Sequence, residues 1–203
     1  MFPIAGAPVV AQDQNNLGLE RASANFDMRH RFALSLIWDL PFFRDSHTAA
    51  SRVLGGWQVS SIFQASSGQP FTLNLPVDAN LDGNLTDRPS TENGLVFFDG
   101  HRRTRVGLAP DRSLQDFVII GQDSAVGRNT VTGDGYVDLD MSVNKSFRLN
   151  EGRAITLRTE FFNLLNRANF GLPIRVISAP GFGSAVDTVS PARIIQFGLK
   201  FIF

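Results

Sequence analysis

Cysteine is absent from the chain, which excludes disulfides and thiolate metal sites. Long apolar runs are missing too, and without a stretch of roughly 18 apolar residues no transmembrane helix can form. Neither sign of charge is in surplus, since 19 basic and 19 acidic residues balance. Without a basic field there is no electrostatic footprint for nucleic acid. Tyrosine and tryptophan are scarce, one and two residues, against 18 phenylalanines, a balance that asks for apolar surroundings. The apolar opening at residues 1–11 is broken by Pro3, Gly6 and Pro8. It lacks a basic start and a small-x-small cleavage site, so it reads as loop and not as a signal peptide. The 203 residues are enough to bury a substantial core.

Helical periodicity is weak everywhere, whereas period-2 alternation is strong in five places. In 29–40, Phe32, Leu34, Leu36, Trp38 and Leu40 share one face, opposite Arg31, Ala33, Ser35, Ile37 and Asp39. From Trp57 to about Ser66, Trp57, Val59, Phe63 and Ala65 oppose Gln58, Ser60, Gln64 and Ser66. In 136–149, Val137, Leu139, Met141, Val143, Phe147 and Leu149 alternate with Asp138, Asp140, Ser142, Asn144, Ser146 and Arg148. In 154–165, Ile155, Leu157 and Phe161 oppose Thr156, Arg158 and Glu160. In 193–203, Ile195, Phe197, Leu199, Phe201 and Phe203 oppose Gln196, Gly198 and Lys200. Each segment reaches the 9–11 residues that a tilted strand needs to cross a bilayer, and strands of soluble sandwiches usually run nearer 5–6. The pattern therefore predicts an all-β, antiparallel, up-and-down transmembrane barrel segment of about five strands.

The connections support this. Asn150, Gly152 and Arg153 form a tight polar turn, while 68–135 and 166–192 are long and rich in Gly, Pro, Asn and Asp. Short turns on one rim and long extracellular loops on the other is the outer-membrane arrangement. The intermediate connection 41–56 belongs to the short-turn rim. Residues 1–28 read as a further extracellular loop segment, ahead of the barrel part at 29–203. Within the long loop, 95–98 and 117–120 are candidates to extend strands above the membrane. Trp38 and Trp57 fall at the periplasmic interface, where tryptophan is favoured. Lys145 falls on the lipid face near the same rim, where its ammonium is expected to snorkel to water.

The strings RHRFALSLIWDLPF (29–42), GGWQVSSIFQASSGQPFTL (55–73), GRNTVTGDGYVDLDMSVNKSFRL (127–149), LRTEFFNLLNRANFGLP (157–173) and ARIIQFGLKFIF (192–203) carry a resemblance. They resemble the last strands of TonB-dependent receptors, of the Oar-like kind with a carboxypeptidase-regulatory-like domain. The resemblance implies a barrel of about twenty-two strands, filled by an N-terminal plug and energised by the inner-membrane TonB complex. The sequence carries no plug, no TonB-contacting segment, no regulatory-like domain and no export signal, so a fragment of a larger barrel is expected. Five strands cannot close a barrel, and an open edge in hydrocarbon leaves amides unsatisfied. Alone, the chain is expected not to transport.

Several residue groups are candidates for function. Phe203, Phe201, Leu199 and Phe197 match the aromatic terminal strand read by the barrel-assembly machinery through β-augmentation. Asp78, Asn80, Asp82 and Asn84 place hard oxygens at alternate positions around Gly83, a calcium-loop spacing. Its twelfth position holds Pro89 in place of a carboxylate, with Asp87 or Glu92 as substitutes. Arg31, Asp39, Asp138, Asp140, Arg148, Arg158, Glu160 and Lys200 form an inward row. The row either lines a translocation lumen or, as the mixed signs favour, makes a self-neutralising polar wall. No catalytic constellation stands out: His30, His47 and His101 are scattered, and Arg102, Arg103 and Arg105 read as a solvated loop face.

The expected function is therefore that of a barrel segment from an outer-membrane uptake system, in the outer membrane of a Gram-negative bacterium and without enzymatic activity. Outer-membrane lipid and the barrel-assembly machinery are its expected partners, with a plug and the TonB complex supplied by a parent protein. No cofactor beyond calcium is expected. A structural or adhesive outer-membrane protein is the alternative, and a soluble calcium-binding β-sandwich a more distant one.

Overall fold

The computed structural model describes residues 11–42 and 48–203. Most of residues 1–11, together with His47, lies outside the described residues. The chain separates into two compact units.

The sheet unit comprises residues 31–65, 137–168 and 190–203. It holds five strands that match the five alternating segments: β1 (Arg31–Asp39), β2 (Trp57–Ser66), β7 (Tyr136–Asn150), β8 (Arg153–Phe162) and β9 (Ile194–Ile202). Their order in the sheet is β1-β2-β7-β8-β9, and β1 and β9 form its two edges, so the sheet is not closed. β7, β8 and β9 pair antiparallel, with Met141 opposite Phe161 and Phe161 opposite Ile195. The β7–β8 turn is as short as the sequence predicts, and Gly152 supplies its left-handed backbone at φ +89°. The register puts Met141, Val143, Phe147, Ile155, Leu157, Phe161, Ile195, Leu199 and Phe201 on one face. Ser142, Glu160 and Gln196 line up on the other. Contacts extend the same faces toward β1. Phe63 and Phe32 have ring centroids 5.9 Å apart, while on the polar side Ser60 bonds Ser142 at 2.8 Å and Gln58 donates to Asp39 at 2.8 Å.

This sheet is inside out by soluble-protein standards. Among the described residues, none of its large apolar side chains is fully buried, while Phe32, Leu34, Leu36, Trp38, Phe197, Leu199 and Phe201 are each about half exposed or more. At roughly 25 cal/mol per Å² of apolar surface, a continuous wall of this kind in water is strongly unfavourable. Hydrocarbon removes that penalty, and the polar opposite face and 9–15-residue strands fit a membrane wall.

The loop unit comprises residues 1–30, 66–136 and 169–189. Here sits the buried apolar core, formed by Phe71, Leu73, Leu75, Leu95, Val106, Phe117, Val131 and Ile177. Its strands are minimal: β3 (Pro70–Phe71) pairs with β6 (Val131–Thr132), and β4 (Leu95–Phe97) with β5 (Val106–Leu108). Residues 95–97 thus pair locally and do not prolong a membrane strand. Phe117 closes a 3-10 turn (Leu114–Phe117) and is fully buried, so 117–120 is not strand either. Residues 12–25 are bound into this unit. Glu20 accepts from Arg88 at 2.7 Å and lies 3.6 Å from Arg128, and Asn129 donates to the Ser23 carbonyl at 2.7 Å.

The composition of the loop unit follows a parity rule. Residues before β1, between β2 and β7, and between β8 and β9 are separated by even numbers of sheet strands. The two odd connections, 40–56 and 151–152, belong to the sheet unit.

Candidate functional site

The strand β9 hydrogen-bonds β8 along one side, and among the described residues its other edge is unpaired. Phe197, Leu199 and Phe201 stand on its apolar face opposite Thr159, Leu157 and Ile155. Phe203 follows at 92% exposure, and its ring stacks on Phe201 with centroids 5.8 Å apart. The four residues thus form one outward row beside a free edge, the geometry that β-augmentation requires.

The polar face carries the inward charges. Arg158 and Glu160, two residues apart on β8, meet at 2.6 Å. Asp140 accepts from the Asn163 amide at 2.9 Å, Asp39 from Gln58, and Asp138 from the Leu139 amide at 3.1 Å. Lys200 faces Thr156 across the β8–β9 pair, and Arg148 faces Ala154 across β7–β8. Arg31 opens β1 in an exposed position. The structure aligns these residues along one wall and does not gather them into a single pocket.

Asn163 and Asn166, inside EFFNLLNRANF, were not singled out from the sequence as site residues. Asn163 is buried at φ +48°; its side chain donates to the carbonyls of Arg167 and Pro191 and accepts from the Arg167 amide, all within 3.0 Å. Asn166, at φ +49°, accepts from the Arg193 amide at 3.2 Å. Asparagine tolerates the left-handed region and offers both donor and acceptor, so these two fasten the exit of β8 to the entry of β9. Two asparagines just past a period-2 run are the signal that marks them.

Lys145 departs from the expectation of snorkelling. Its Nζ donates to the Gly55 carbonyl at the C-terminal end of a short helix, α1 (Ala49–Leu54), and it lies 5.1 Å from the Phe147 ring. The residue is only 4% exposed. Its charge is met by a helix-end carbonyl and an aromatic face, so no water is needed. Trp57 braces the same turn, donating from Nε1 to the Val53 carbonyl at 3.1 Å.

In the loop unit, Asp78 accepts from the amides of Asp82 at 3.2 Å and Gly83 at 2.9 Å. Asn80 Oδ1 accepts from the same Asp82 amide at 3.2 Å, and Asp82 accepts from the Asn84 amide at 2.8 Å. The Asn84 amide and then its side chain hold the Asp82 carboxyl below its ordinary pKa. Asp87 is 1% exposed, and burial pushes its pKa up, partly offset by the amides of Ala79 and Asn80 and reinforced by Asp78 and Asp82. Among the described residues, no three His, Asp or Glu side chains stand together as a metal-holding group. Glu92 is exposed on the surface.

A cavity of about 510 Å³ opens in the same unit, lined in part by Phe71, Tyr136, Phe170, Ile174, Arg175 and Asp187. Burial lowers the pKa of Arg175. The basic cluster is structural: Arg102 pairs with Asp134 at 3.1 Å and packs over Phe170, Arg103 donates to the Ala185 carbonyl, and Arg105 donates to those of Thr132 and His101. His30 pairs through its backbone with Ser67.

An open antiparallel sheet with one lipid-type face and one polar face, its strands joined by long connections, defines a membrane β-barrel wall. The family model of the outer membrane beta barrel domain matches residues 4–196, and the chain belongs to that family. Its place is accordingly the outer membrane. No curated protein and no solved structure matches the chain.

Proposed function

We propose that the chain is the C-terminal barrel portion of a TonB-dependent-receptor-like transporter in a Gram-negative outer membrane, importing a nutrient through a larger barrel. The observation that carries this reading is the pair of unpaired edges, β1 and β9, on a five-stranded sheet. In hydrocarbon each free edge leaves a row of amides and carbonyls unsatisfied, at several kcal/mol apiece. More strands must therefore lie between the two edges. The large folded loop unit, with its cavity beside Arg175, offers a receptor surface of the kind an uptake barrel needs.

The test is made on the full protein in its outer membrane. Cysteines at Ala33 in β1 and Gln196 in β9 should form no disulfide, because other strands separate these edges. A periplasmic TonB domain should be captured by the same membranes. An efficient β1–β9 crosslink would show a small closed assembly and overturn the large-barrel reading. Failure to capture TonB would overturn transport and favour a structural or adhesive barrel.

A further inference from the structure

The loop at 78–87 concentrates negative charge without a basic partner. Among the described residues, no ion pair joins Asp78, Asp82 or Asp87 to an arginine, lysine or histidine; the neighbouring Arg88 spends its charge on Glu20. Asp123 adds a further carboxylate, accepting from Asn80 Nδ2 at 3.3 Å. Two side-chain oxygens converge here, since Asp78 Oδ1 and Asn80 Oδ1 each lie 3.2 Å from the Asp82 amide nitrogen.

Independent of that loop geometry is the state of Asp87. Its Oδ2 lies against the loop backbone, 2.6 Å from the Ala79 nitrogen and 3.4 Å from that of Asn80. Its Oδ1 is buried and has no hydrogen-bond partner among the described residues. The Oδ1 of Asn74, whose amide nitrogen donates to the carbonyls of Thr86 and Asp87, is likewise buried and unpartnered. A buried carboxylate oxygen without a donor is costly unless a cation meets it.

We propose that this loop binds a hard divalent cation of the calcium class through side-chain oxygens of Asp78, Asn80 and Asp82, with Asp87 as the third carboxylate. The choice of Asp87 resolves which residue replaces the carboxylate missing at Pro89. Asp87 is buried against the loop, while Glu92 is turned out to the surface. Carboxylates mixed with neutral amide oxygens on an irregular loop suit the larger coordination shell of calcium over the rigid octahedron of magnesium. Binding draws the acidic side chains, not gathered in this structure, around one ion. The site is independent of what the barrel carries.

The experiment is calorimetric titration of the full protein, folded in detergent and stripped with chelator, using calcium chloride, with magnesium chloride as comparison. One saturable calcium event is expected, with affinity in the range of extracellular modules, about 10⁻⁴–10⁻³ M. Asp82→Ala and Asp87→Asn should each weaken it at least tenfold, and Glu92→Gln should leave it unchanged. Asp82 lies in an exposed loop, so its replacement spares the fold, which unchanged far-ultraviolet dichroism would verify. Three results would overturn the proposal: no heat up to about 10 mM calcium, equal affinity for magnesium, or a full-strength calcium event in Asp87→Asn.

Discussion

Lys145, on the apolar face of β7, gives its ammonium to the backbone carbonyl of Gly55, which caps the C-terminal end of α1. A cation at a helix C-terminus is electrostatically favoured, and here it is also shielded from lipid. Lys145→Met keeps the stem and removes both the charge and its burial cost, so stability should change by no more than about 1 kcal/mol. Lys145→Glu sets an anion against the carbonyl and should cost several kcal/mol. Urea unfolding of the protein in lipid vesicles would rank the variants; a glutamate as stable as the parent would refute the pairing.

Asn163 ties β8 to the stretch entering β9 through three side-chain hydrogen bonds. Asn163→Ala removes all three bonds from a buried position and should cost about 1–3 kcal/mol. Asn163→Asp keeps the acceptor but loses the donor, and should fall between alanine and the parent. The same vesicle-unfolding measurement checks the order.

The outward row on β9 predicts an assembly defect distinct from a stability defect. Deleting Phe203, or replacing Phe201 and Phe203 with serine, should lower the amount of protein in the outer membrane in cells. Purified protein refolded into vesicles should keep its unfolding midpoint. Unchanged surface levels would dismiss the assembly role.

Gly183 sits at φ +72°, and a Cβ there would fall 1.7 Å from the Val106 carbonyl oxygen. Its own carbonyl accepts from the Arg105 amide at 2.8 Å and its amide donates to Ile174 at 2.7 Å, so the backbone has little room to yield. Gly183→Ala should cost about 3 kcal/mol or more. The damage should appear as protease cleavage within the loop unit while the membrane strands stay protected.

Asp87 supplies a pH dependence. Burial raises its folded pKa above the ordinary value of 3.8, so the folded chain holds the proton more tightly than the unfolded one. The resulting stabilisation is fully present below the ordinary value and is lost as pH rises through the raised one. In chelator, the loop unit should therefore melt higher near pH 4 than near pH 7 by an increment that Asp87→Asn removes. An increment unchanged in Asp87→Asn would exclude Asp87 as its source.

The five membrane strands were legible because lipid on one side and a polar interior on the other enforce strict alternation. Phe197, Leu199 and Phe201 show it directly, and the β8–β9 register follows the same alternation. The core of the loop unit left no such trace. Leu73, Val106, Phe117 and Ile177 come from separate stretches with strands of two or three residues, too short for a period to register. Lys145 misled for another reason, since its partner Gly55 lies in a connection that reads simply as a turn. The spacing of Asp78, Asn80 and Asp82 is visible in the sequence, whereas the burial of Asp87 and the exposure of Glu92 depend on packing that spacing does not encode.

The interleaving of the loop unit with the sheet also sets a timetable. Arg88 meets Glu20 across 68 residues, and Asn129 meets Ser23 across 106, so the contacts that close the unit are far apart along the chain. The last contributor, 169–189, follows β8 in sequence. Until that stretch is in place, the earlier ones have no complete core to join. Closure of the loop unit is therefore a slow, non-local step by comparison with the pairing of the neighbouring strands β7, β8 and β9.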